Sequence, residues 1–305
     1  MKKLFVVVVA CFMLFFVGCK SEPVEWLTNL EQANLKATET GKDILVLFTG
    51  FGWDGYSEDF CNNIMFQDKF LKTASKNFVP VHLNISTDTE NFTEEDSTNY
   101  MIAYSLGIQS CPIVLAVSQD FIPYGSFSYA TGTHDISTCI SKVKELGENG
   151  NTLRKLKDDL EVSSGVEKAN IIDKLYNLVP EEFSYQFEEL IREFPILDSQ
   201  NQTGKLGFYS LLCAYQDATL IFNQSGDFYS TANIFKDLAD SGILSPEEYQ
   251  MAYYQAAYFE SCMGNVPTEN TLPYLKKAYE AAPNSEIADS LLITINNLEE
   301  SGDAN

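Results

Sequence analysis

Cationic side chains are scarce in this 305-residue chain. Twenty Lys and Arg stand against 43 Asp and Glu, a formal net charge of -23. A phosphate backbone needs a cationic footprint, so nucleic acid is excluded as a partner. Docking on anionic lipid by charge alone is excluded for the same reason. Histidine is scarcer still, with only His82 and His134. No close Cys/His spacing supplements them, so no metal site is expected. No cofactor is expected either. The seven cysteines, at 11, 19, 61, 111, 139, 213 and 262, are too widely spaced for a dense disulfide framework. Most of them read as small buried hydrophobes.

One uncharged apolar run is present, "LFVVVVACFMLFFVG", behind Lys2 and Lys3. It is short for a membrane span and ends in Gly18, which favours a cleaved signal over a transmembrane helix. Phe16-Val17-Gly18-Cys19 resembles a bacterial lipoprotein box, with Phe16 where Leu is usual. The resemblance implies a signal peptide over residues 1–18, cleavage before Cys19, lipid on Cys19 and export to the cell envelope. An ordinary signal cut nearby is the alternative. Lipid chains on Cys19 would bury enough methylenes for stable anchoring. Residues 19–28 then form a tether.

Hydrophobic patterning divides the rest. "NLEQANLKATETGK" predicts a helix, with Ala33 and Ala37 in helical register and Gly41 as its stop. "DILVLFTG" is too apolar to be half exposed and predicts a central strand. A helix is expected from about Asp54. "NFVPVHLNIS" predicts a strand. "EEDSTNYMIAYSLGI" predicts a helix started by Asp96 or Ser97. "CPIVLAVSQD" and "PYGSFSYATG" predict two more strands, and "HDISTCISKVKEL" a closing helix. This alternation favours a sheet flanked by helices, over residues 29–147. "GENGNT", 147–152, predicts a break between domains, because two glycines interrupt the apolar pattern. Residues 152–300 predict helices only, near 165–178, 181–194, 205–223, 227–240, 246–263, 269–282 and 285–299. Prolines and glycines mark the breaks.

Residues 26–146 resemble a thioredoxin-like domain of the Trp-Cys-x-x-Cys type. The strand "ILVLFTG" leads to Trp53. "MFQDKFLKTASKNFVPVHLNI" matches the second helix and following strand. "YMIAYSLGIQSCPIVLAV" matches the helix, the glycine step and the X-Pro opening the next strand. "DFIPYGSFSYATG" matches the terminal hairpin. The resemblance implies a mixed sheet flanked by helices and a cis Cys111–Pro112 bond. It also implies a peptide groove lined by Phe51, Trp53, Tyr56, Cys111 and Pro112. Yet Asp54 and Ser57 occupy the two cysteine positions. A helix N-terminus stabilises a thiolate there and makes it an attacking group. A carboxylate profits from the same amides without exchanging with a disulfide. Asp54 is therefore expected as an N-cap, and no catalytic residue is assigned. The rival reading is a thiol-disulfide oxidoreductase working through Cys111, alone or paired with Cys61. A carboxylate neighbour would raise the Cys111 pKa and weaken it as a nucleophile. A third reading is a structural lipoprotein whose groove is unused.

Residues 246–299 resemble a tetratricopeptide-like repeat with a capping helix. "YYQAAYFESCMGN" sets small residues between aromatics, and "YLKKAYEAAPNS" carries Ala278 and Pro283 at the family's spacing. Residues 209–242 resemble a looser copy. Stacked helices of this kind commonly present a surface to peptides or proteins. The joint expectation is a redox-inactive envelope lipoprotein that binds or scaffolds a protein or peptide partner.

Overall fold

The structure, a computed structural model, describes residues 25–88, 90–129, 135–263 and 268–302. The signal peptide, Cys19, most of the tether and His134 lie outside the described residues. Among those described, no helix is long and apolar enough to cross a membrane. The chain divides into two compact units. One holds the described residues through Phe121 together with Ser126–Gly147. The other holds Ile122–Gly125 and the chain from Glu148 onward.

The first unit is α/β. Helix α1, Leu30–Thr40, is capped by the Asn29 side chain on Gln32 N and closed by Gly41 at φ 66°. It buries Ala33 and Ala37. Strand β1, Asp43–Thr49, is buried along its whole length. That follows from its unbroken apolar run. Next come the short helix α2, Gly55–Phe60, a π-helical turn, Cys61–Met65, and helix α3, Asp68–Ala74. Strand β2 is Phe78–Asn84, helix α4 is Glu94–Ser105, and strands β3 and β4 are Ile113–Val117 and Pro123–Ser128. The sheet order is β2-β1-β3-β4. It is mixed, with β1 parallel to β2 and antiparallel to β3.

Two local expectations are corrected here. Helix α4 starts earlier than expected. Thr93 is the N-cap, and Asp96, expected as a cap, reaches back to the Thr93 N–H at 2.9 Å from the third helical position. The two form a capping box, which satisfies two amides rather than one. The second correction concerns the end of the closing helix at "GENGNT": the two units divide there, at Gly147 and Glu148, but helix α5 runs without interruption through Ile136–Val162. Gly147 instead marks a close approach. A Cβ built there would lie 2.3 Å from Asn77 Nδ2. Glycine inside a helix costs up to about 1 kcal/mol against Ala, which continuous hydrogen bonding and packing offset.

The second unit, beyond residue 148, is helical. It comprises α6, Gly165–Leu178; a 3-10 segment, Glu181–Phe187; α7, Glu188–Leu197; and α8, Leu206–Ser225. The chain continues through α9, Phe228–Asp240; α10, Pro246–Ser261; α11, Thr268–Ala281; and α12, Ala288–Gly302. The single helix expected over 181–194 is two elements, and Pro195 sits inside α7 instead of ending it. Proline removes an amide and frees the carbonyl four residues back. Here that carbonyl, Ile191 O, accepts the Cys213 thiol at 3.6 Å. The core of α8–α12 sets small side chains against rings. Ala214, Ala252, Ala256 and Ala278 pack with Phe235 and Tyr253, which lets the helices approach closely.

Candidate functional site

The loop after β1 is built as one hydrogen-bonded unit. Register pairs Thr49 with Asn84 across β1 and β2. That places the Asn84 carboxamide beside the chain as it leaves the sheet. Asn84 Oδ1 accepts from Phe51 N at 2.7 Å and from Thr49 Oγ1 at 3.0 Å, and its Nδ2 donates to Phe51 O at 3.2 Å. Trp53 Nε1 donates to Ile85 O at 2.6 Å. The Trp53 indole lies over Gly50 so closely that a Cβ on Gly50 would come within 2.4 Å of the ring. One face of the indole is packed, yet the side chain remains 51% exposed.

Asp54 caps α2. Its carboxylate accepts from Tyr56 N at 3.3 Å, Ser57 N at 2.9 Å and Ser57 Oγ at 2.6 Å. Ser57 Oγ accepts in turn from Gly50 N at 2.9 Å, and the residue is fully buried. The hydroxyl therefore has its proton committed and no open approach. This geometry gives Asp54 the capping role expected of it.

Cys111 is half-buried, and the Cys111–Pro112 bond is cis. Burial, with the Asp54 charge as a second cause, pushes the Cys111 thiol up to about 11. Cys61 is fully buried at the end of α2, and burial pushes its thiol up to about 12. Both thiols are free. At neutral pH each is protonated and so is a poor nucleophile. Cys111 is the more accessible of the two.

Two of the expected groove residues pair with rings outside the expected set. Phe51 pairs with Phe66, ring centroids 6.4 Å apart, and Tyr56 pairs with Tyr129 at 6.1 Å. Phe51, Trp53 and Tyr56 each remain more than a third exposed. Pro112 is buried and offers no open face. Phe66, Tyr129 and Asn84 escaped sequence reasoning. Phe66 lies in "MFQDKFLKTASKNFVPVHLNI" and Tyr129 in "DFIPYGSFSYATG", but their ring partners are distant in the chain, and the role of Asn84 depends on strand register, which local sequence does not reveal.

His82 is the one described imidazole. Its Nε2 lies 2.7 Å from the buried Thr49 Oγ1 and its ring meets Phe66 edge-on. Burial lowers its pKa to about 4, so it is neutral at pH 7. Among the described residues, no group of three or more His, Cys, Asp or Glu could hold a metal ion.

Comparison with known proteins gives likenesses of three kinds. A family model described as "Uncharacterised protein C-terminal domain" matches residues 206–304. An uncharacterized protein of Treponema pallidum (strain Nichols) is 24% identical over 289 residues, 92% of this chain and 92% of its own length. A solved structure titled "DsbH Oxidoreductase" is 17% identical, with a TM-score of 0.37. It covers 41% of this chain and 85% of its own.

Proposed function

We propose that this chain is an envelope lipoprotein whose first unit is a redox-inactive thioredoxin-like domain that binds protein or peptide. The helical unit, tetratricopeptide-like in its last pair of helices, serves the same binding or scaffolding role. One observation carries the reading. The position that holds the attacking thiol in the resembled family holds a carboxylate consumed as an N-cap, and its partner position holds a buried serine. The element order and the mixed sheet support the thioredoxin-like assignment. The half-exposed aromatics Phe51, Trp53 and Tyr56 support binding, since exposed aromatics are enriched at interaction sites. Lipid on Cys19 places the protein at the membrane, on the periplasmic or surface side of the envelope.

The test is a disulfide-reduction assay on the mature chain together with an overlapping-peptide array. No turnover is expected, and Cys111→Ser changes nothing. Discrete peptides are retained by the wild type and lost by the Trp53→Ala, Tyr56→Ala double variant. Turnover abolished by Cys111→Ser would overturn the reading, and so would an array without discrete hits. For the anchor, Cys19→Ala is expected to move the protein from the membrane to the soluble fraction.

A further inference from the structure

The helical unit carries a second concave site, separate from the loop after β1. A pocket of about 320 Å³ opens between the 3-10 segment Glu181–Phe187 and helix α8. That is the small end of the ~300–1,000 Å³ range for ligand sites, so it suits one side chain better than a cofactor. Its lining is chemically one-sided. Tyr176, Tyr185 and Tyr215 supply rings, and Glu181, Glu182 and Glu188 supply carboxylates. No Lys, Arg or His lines it. Arg192 approaches Glu188 at 3.6 Å, but its shorter bond, at 2.6 Å, goes to Asp217. Glu181 and Glu182 have no cationic partner among the described residues.

The lining also contains an unmet acceptor. Gln216 Oε1 is buried and has no hydrogen-bond partner. Buried polar atoms are nearly always paired, so one inside a pocket points to a donor that is supplied from outside. Ring faces carry negative potential and attract a cation. Carboxylates and an unpaired amide oxygen want positive charge and N–H donors. All three features select the same chemistry, an ammonium or guanidinium group.

The surface beyond the pocket indicates what carries that group. Tyr215 on α8 packs against the core cluster that contains Ala252 and Ala256 of α10. On α10, Tyr254 and Tyr258 stand one turn apart and are 37% and 53% exposed. A lone small cation would use the pocket alone. An extended polypeptide would use both the pocket and this tyrosine surface.

We propose that this pocket receives a lysine or arginine side chain of a partner polypeptide, whose backbone continues over the tyrosines of α8 and α10. The proposal stands without the binding reading of the first unit.

The experiment is fluorescence anisotropy with the mature chain and a labelled lysine-containing dodecapeptide, against the same peptide with glutamine for lysine. Saturable binding is expected for the first peptide only, weakening as salt rises. Glu181→Gln with Glu182→Gln, and separately Tyr185→Ala, each lower affinity by about tenfold or more. One control fixes the site. Glu286→Gln with Asp289→Asn, exposed carboxylates outside the pocket, leaves affinity unchanged. Circular dichroism checks that every variant is folded. Equal loss from the distant carboxylate pair would mean that bulk charge alone attracts the peptide, and would overturn the proposal. So would the absence of saturable binding. Tetramethylammonium chloride displacing the peptide at concentrations no higher than the peptide's own Kd would replace the polypeptide with a small cation and overturn it too.

Discussion

Ser57 Oγ donates to Asp54 Oδ2 at 2.6 Å while accepting from the Gly50 amide at 2.9 Å. The two side chains are locked to each other and to the preceding loop. The pair thus joins the end of β1, the turn and the first residues of α2 into one hydrogen-bonded structure.

Asp54→Ala should lower the stability of the first unit by about 1–2 kcal/mol, the cost of losing an N-cap with a buried hydroxyl left short of an acceptor. Asp54→Asn keeps an acceptor oxygen and should cost less than half as much. Urea unfolding followed by tryptophan fluorescence measures both. Equal effects would mean that charge, and not the cap hydrogen bonds, stabilises the turn.

Gly50→Ala should destabilise by about 1–3 kcal/mol, because its Cβ would meet the Trp53 ring at 2.4 Å. The indole must shift to accept it, at the expense of the Trp53 Nε1 bond to Ile85 O. The combined change Gly50→Ala with Trp53→Ala should recover part of the loss. A double-mutant cycle reads the coupling, and strictly additive effects would refute the contact argument.

The pH dependence has two limbs with different origins. His82 has its pKa lowered from 6.5 to about 4 by burial. Between those values the unfolded chain takes a proton that the folded chain refuses. Stability is therefore full above pH 6.5 and falls as pH drops toward 4, by up to about 3 kcal/mol. Asp88 and Asp96, lowered by their hydrogen bonds, act only below their ordinary value of 3.8. On the alkaline side, Cys61 and Cys111 have raised pKa values, so stability falls as pH rises from about 9 toward 11 and 12. His82→Gln should flatten the limb between pH 6.5 and 4 and leave the alkaline limb in place, as read from denaturation midpoints across pH.

Glu260→Ala should destabilise the helical unit by about 3–5 kcal/mol, because it strands Lys236 without its ion-pair partner. The pair is well shielded, with side-chain exposures of 15% for Lys236 and 8% for Glu260. The exposed pair Lys142–Glu145 is a fair contrast, and Glu145→Ala should stay within about 0.5 kcal/mol. Thermal unfolding of the two variants compares them directly.

Much of the secondary structure was legible because the signals are local. Unbroken apolar character marked β1 as buried on both faces. The Gly41 stop fixed the end of α1, and Asp54 announced the start of α2 from its own side-chain chemistry. The helices at 165–178 and 227–240 followed from periodicity and near-terminal Gly, Pro or Asp. Composition alone established the acidic character.

Other features depend on residues far apart in the chain, and only the tertiary structure decided them. Gly147 looks like a breaker until Asn77 fills the space its side chain would need. Pro195 looks like a stop until Cys213 takes the carbonyl it frees. Asn84 looks like an ordinary strand end until parallel register sets it beside Phe51, 33 residues earlier. Sequence patterns encode what a residue does to its own backbone. Whether a broken local rule is tolerated depends on the partner that packing brings, and no local pattern carries that.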